Sequence, residues 1–138
     1  MNPISAAQAE WEAATTPHPL MRPATRREPP VEEPFRKYGE AIAWITWSDN
    51  CELTKIETLR AHSGAPKALL SFLKSLARKH GIRIYGNPLV YKPTNPQAAA
   101  SPLTQEQLEA WYVKQDFIVA VSIRGNFPFF WYPDVPED

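Results

Sequence analysis

The sequence predicts an α/β (α+β) fold built on a mixed sheet, and three observations carry that expectation. Residues 41–47 are rich in β-branched and aromatic side chains, residues 52–59 alternate, and Ser48-Asp49-Asn50 between them is a turn signal, so the pair reads as an antiparallel hairpin. Residues 66–80 place apolar side chains at helical spacing and run into a further strand-like stretch at 82–85; a strand–helix–strand crossover of that length requires parallel pairing. A second helix with its own start signal then leads into residues 117–123, another β-rich run.

From the N-terminus, residues 5–14 suit a short helix with Ser5 as its N-cap. Pro17, Pro19, Pro23, Pro29, Pro30 and Pro34 follow. Proline fixes its own φ, removes a donor and holds the preceding residue extended. Residues 1–37 therefore read as a proline-rich extended or disordered N-terminal arm, and 38–138 as the folded domain. The composition of the arm suits a disordered tail; the alternative is an arm that docks on a partner, with Trp11, Leu20, Met21 and Phe35 as anchors.

Within the folded part, neither face of strand 52–59 is purely apolar, which leaves one region of the sheet wet or facing a ligand. In helix 66–80, Leu69, Leu70, Leu73, Leu76 and Ala77 make one face, while Lys67, Lys74, Arg78 and Lys79 lie largely opposite. Pro66 suits the first helical turn and Gly81 the left-handed position past the end. The strand from Ile82 is interrupted by Gly86-Asn87-Pro88 and resumes at 89–91, and 92–102 is a loop. Thr104 and Gln107 form a capping box, with Leu103 stapled to Leu108. Gly125-Asn126 would return the chain into a last short strand, 127–132, limited by Pro128 and Pro133.

At 138 residues the chain is about one domain. Its 15 Lys and Arg balance 15 Asp and Glu, and zero net charge argues against a general nucleic-acid binder. Cys51 is alone, so neither an internal disulfide nor a cysteine-based metal site forms, as suits a reducing compartment. His18, His62 and His80 lack metal-ligand spacing, so no metal is expected. No apolar run approaches a membrane span, and the expectation is a soluble protein of the cytoplasm or of a particle assembled there. The aromatic series Phe127, Phe129, Phe130, Trp131 and Tyr132 either seals the core or leaves an oligomer or partner interface.

Residues 55–70 place a small-residue turn between a strand and a helix, with Arg60 and Lys67 beside the outward N–H groups of the helix start. Such a turn suits a diphosphate, and it equally suits an ordinary strand-to-helix connection. Arg60, Ser63 and Ala65, followed by Lys67-Ala68-Leu69-Leu70, resemble the Gln/Arg-x-x-Gly-x-Gly/Ala signature of the Gcn5-related N-acetyltransferase (GNAT) superfamily. Trp111-Tyr112-Val113-Lys114-Gln115-Asp116-Phe117 resembles that family's later phrase, aromatic-Tyr-x-Lys-x-Gly-Phe. The likeness spans roughly residues 40–125 and points to the small acetyltransferase-like proteins of bacteriophages.

The resemblance implies a GNAT-like sheet, truncated at the front, that holds acetyl-CoA through Thr58, Leu59, Arg60, Ser63, Gly64, Ala65 and Lys67. It implies direct attack of an unidentified amine on the thioester, with a backbone N–H near Thr58 or Leu59 stabilising the oxyanion. Tyr112 would protonate the departing thiolate and Glu57 would act through water as the base. Ser63 in a glycine position, Pro66 in the first helical turn and Asp116 before Phe117 depart from the pattern. Tyr112 also reads as a packed aromatic, and Glu57 as an exposed strand carboxylate. Two functions follow: an acetyl-CoA-dependent N-acetyltransferase, or a catalytically inactive GNAT-fold structural or interaction protein. The second, for example a phage virion component, would dock through its N-terminal arm and C-terminal aromatics.

Overall fold

The computed structural model of the chain describes residues 2–60, 63–87, 103–121 and 128–132. Helix α1 (Pro3–Ala14) starts where the Asn2 side chain accepts a hydrogen bond from the Ser5 N–H at 2.7 Å, with Pro3 inside the first turn. Asn2, not Ser5, is therefore the cap. Ile4, Ala7 and Trp11 recur at helical spacing, and this face packs on helix α2 (Ala65–His80). Trp11 is 1 % exposed, and its ring lies 6.2 Å from that of Phe72 on α2.

The expected arm is thus not separate from the domain. Short strands β1 (Thr16–Pro17), β2 (Leu20–Arg22), β3 (Val31–Glu33) and β4 (Arg36–Tyr38) follow α1. β1 pairs with β4, while β2 and β3 form a two-stranded hairpin outside the main sheet. Arg36 locks the end of α1 in place: its Nε donates to Thr15 Oγ1 at 2.7 Å, and Nη2 donates to the carbonyls of Thr15 and Glu12. A cation satisfying the last carbonyls of a helix also suits the negative end of its dipole. The prolines made the segment irregular, but the irregular backbone is folded against the sheet.

The main sheet has the order β1-β4-β5-β6-β7-β9-β8, completed by β5 (Ala41–Trp47), β6 (Cys51–Thr58), β7 (Ile84–Gly86), β8 (Ile118–Val121) and β9 (Pro128–Tyr132). β5 and β6 form the expected antiparallel hairpin, with a bulge where Trp44 pairs with Lys55 and Ile45 with Leu53. α2 crosses from β6 to β7, and these two strands are parallel as the crossover requires. Their pairing is short: Cys51 faces Ile84 and Glu52 faces Tyr85, after which no register is shared. Gly86 is needed at this seam, because a Cβ there would sit 2.6 Å from the Leu53 carbonyl oxygen and 2.7 Å from the Phe130 ring. It is part of the strand, not its interruption. The expected continuation at 89–91, the loop 92–102 and the turn at Gly125-Asn126 lie outside the described residues.

The core lies between one face of the sheet and the helices, where Leu69, Leu70, Leu73, Ala77, Leu53, Ile84 and Phe130 meet. Helix α3 (Gln105–Lys114) carries the full Thr104–Gln107 capping box and is capped at Gln115, after which Asp116 takes a left-handed φ of +70°. Lys74, on the face expected to be wet, is 8 % exposed. Its Nζ donates to the Gln115 carbonyl at 2.9 Å and lies over the Tyr132 ring, tying α2 to the end of α3. Phe130 and Tyr132 are core residues and Trp131 is half-buried, so of the two readings of the C-terminal aromatics Phe130 and Tyr132 fit the sealed core; Phe127 lies outside the described residues.

Candidate functional site

Thr58, Arg60, Ser63 and Ala65 are brought together at the top of β6 by a closed set of hydrogen bonds. Thr58 Oγ1 donates to the Arg60 carbonyl at 2.6 Å and accepts from the Arg60 N–H at 3.2 Å. Ser63 Oγ donates to the same carbonyl at 2.7 Å and accepts from the Ala65 N–H at 3.3 Å. A hydroxyl has one proton and two lone pairs, so Ser63 ties the turn together and covers one of the α2 N–H groups. Gly64 supplies the left-handed step (φ +72°) into α2. The side chains of Arg60 and Lys67 are exposed, while Ala65 is buried. The Leu59 N–H, expected as an oxyanion donor, instead donates to the Glu40 carbonyl at 2.7 Å.

Tyr112 lies far from bulk water. It is 5 % exposed, its ring stacked 4.2 Å from Phe130 at 17° and set edge-on to Phe117 at 5.5 Å. Burial pushes its phenol well above the ordinary range, because the phenolate would lose its hydration. Glu57 is 3 % exposed, not a wet strand carboxylate. Ile56 packs toward the helices, so alternation puts Glu57, in register with Ile42, on the other face of the sheet. The two residues expected to share proton transfer are therefore separated by the sheet.

That second face holds a polar cluster with no sequence signal. Lys55 Nζ donates to Glu33 Oε2 at 2.6 Å, with the Glu33 side chain 1 % exposed and that of Lys55 17 % exposed. Phe35 packs edge-on to Trp44 beside it, ring centres 6.4 Å apart. Together they seat the β2–β3 hairpin on β5 and β6. Beyond this base the hairpin projects: Met21 is 56 % exposed and Val31 37 %. Its tip is ordered, since Thr25 N–H donates to the Glu28 carbonyl, Thr25 Oγ1 accepts from the Arg27 and Glu28 N–H groups, and Arg22 pairs with Glu28 at 3.0 Å. Of the expected anchors, Trp11 and Phe35 are internal, and Leu20 and Met21 remain on the hairpin.

No family model and no curated protein matches the chain. Among solved structures, the crystal structure of the anti-CRISPR protein AcrVA5 superposes with a TM-score of 0.48 at 18 % identity, covering 67 % of this chain and 92 % of that one. The geometry of the site corrects the expected acetyl-CoA-dependent N-acetyltransferase. The physical reasons lie in the site: Tyr112 is packed as an internal aromatic, Glu57 lies across the sheet, and the Leu59 N–H is already bonded. Among the described residues no helix is long and apolar enough to cross a membrane.

Proposed function

We propose that this chain is a catalytically inactive interaction protein on a GNAT-like scaffold, docking on a protein partner through its N-terminal segment. The observation that supports it best is the β2–β3 hairpin, which exposes Met21 and Val31 while Glu33 and Phe35 hold its base rigid. Exposed apolar side chains on a pre-ordered element give up little conformational entropy on binding. The GNAT-like topology within this reading is supported by the parallel β6–β7 pair, the α2 crossover between them and the insertion of β9 beside β7. Acetyl-CoA belongs to the proposal as a ligand held without transfer at residues 60–67, favoured by exposed Arg60 and Lys67 and opposed by the internal bonding of Ser63.

Photo-crosslinking tests the docking reading in the cells that express the protein. A benzophenone side chain at position 21 or 31 should capture one discrete protein, whereas the same group at exposed Ser75 should not. Met21→Asp should abolish capture from position 31. Equal labelling from all three positions, or none from the hairpin, overturns it. A parallel assay for acetyl transfer to a panel of amines should stay at the uncatalysed rate.

A further inference from the structure

The face of the sheet away from the helices carries a concave site whose lining includes no residue of the hairpin. Ile84 is fully buried toward the helices, so Arg83, Tyr85 and Asn87 alternate onto this opposite face. Tyr85 is in register with Trp131 on β9, and both are half-buried. Asn50, Arg83, Tyr85, Asn87 and Trp131, with Gly86 and Phe130, line an open concavity of about 480 Å³. That volume lies within the range of small-molecule sites.

The chemistry of the lining is one-sided. Asn50 Oδ1 accepts from the Arg83 N–H at 3.2 Å, and the Arg83 carbonyl accepts from the Cys51 N–H at 3.0 Å. These bonds fix the Arg83 backbone and commit the acceptor atom of Asn50, so its amide NH2 is the end left to donate. Arg83 makes no ion pair among the described residues. Glu52, in register with Tyr85 on the side away from Trp131, does not line the cavity. Arg83 and Asn50 therefore line the same concavity as two aromatic residues, Tyr85 and Trp131. Donors of this kind hold phosphate or carboxylate, and aromatic faces stack planar bases with little sequence preference.

We propose that this cavity binds a nucleoside monophosphate, with the phosphate on Arg83 and Asn50 and the base against Trp131 and Tyr85. The inference goes beyond the docking reading and does not depend on it. Zero net charge on the chain favours a free nucleotide over a nucleic-acid strand, which would need a wider cationic track.

The test is calorimetric titration of the full chain with AMP, GMP, CMP and UMP. Binding of at least one, in the micromolar to low millimolar range, is expected. Arg83→Gln should weaken it at least about tenfold, and Trp131→Leu by a similar factor, with far-UV circular dichroism unchanged. Should Arg83→Gln fail to fold, Arg83→Lys keeps the charge and loses the two-pronged contact, and a several-fold loss is still expected. The corresponding nucleosides should bind more weakly than the monophosphates. No heat with any monophosphate at about 5 mM, or binding indifferent to both Arg83 substitutions, overturns the proposal. Binding of a single-stranded oligonucleotide with none of the mononucleotides overturns it as well.

Discussion

Replacing Trp11 by alanine asks whether the N-terminal helix belongs to the core. The side chain is 1 % exposed, contacts Phe72 on α2, and sits in the same cluster as Leu69, Leu73 and Ala77. A tryptophan buries roughly 200 Å². At about 25 cal/mol per Å² that is around 5 kcal/mol of transfer free energy, of which alanine retains a small part. Measured truncations of this kind cost about 3–5 kcal/mol, and we expect about 4 kcal/mol here, because Arg36 and Thr15 hold α1 in place and limit collapse into the void. For a chain of this length each kcal/mol moves the midpoint by about 3–4 °C, so the melting temperature should fall by roughly 14 °C. Urea unfolding, followed by circular dichroism to avoid the lost fluorophore, should show a lower midpoint with an unchanged slope. A loss below about 1 kcal/mol would refute the reasoning and return α1 to the status of a loosely attached tail.

Other consequences can be checked in the same way. Lys55→Met removes the cation bonded to the buried Glu33 carboxylate and should cost about 3–5 kcal/mol, while the double variant with Glu33→Leu should recover most of it; a chemical-denaturation cycle on the four proteins reads the coupling. Gly86→Ala drives a methyl into the Leu53 carbonyl and the Phe130 ring, and should lower stability by about 2 kcal/mol or more in thermal melts. Hydrogen bonds from Lys79 and His80 hold the Glu10 carboxyl below its ordinary value of 4.5. A carboxyl depressed in the folded state contributes stability above its unfolded pKa and loses it as pH falls through the folded one. Acid unfolding below about pH 4.5 should therefore be shallower in Glu10→Gln than in the parent, and parallel curves would remove that contact from the account.

The elements written in local sequence were legible. The α2 face, its Gly81 stop, the Thr104–Gln107 box and the Ser48–Asn50 turn depend on neighbours a few residues away, and each forms as expected. In the N-terminal segment the prolines speak only about backbone regularity and say nothing of what the segment packs against. Ile4, Ala7 and Trp11 did carry the helical period that foretold burial. The contacts that define the site were not legible at all. Lys55 meets Glu33, Lys74 meets Gln115, and Asn50 meets Arg83 across tens of residues, and nothing in composition or spacing announces such pairs. Tyr112 shows the limit most clearly: a motif position names a residue, whereas its ring stacking on Phe130 decides whether the hydroxyl has chemistry to do.

Cys51 gives the short seam between β6 and β7 a reporter of its own. The residue is fully buried at the point where β6 faces Ile84, and burial pushes its thiol well above the ordinary range. Thiolate, the species that alkylating reagents attack, is therefore scarce while the strands stay together. As the chain's single cysteine, it makes the rate of labelling a measure of how often these two strands part. Comparing that rate with global unfolding would tell whether the sheet opens as two leaves hinged at this seam or melts as one body.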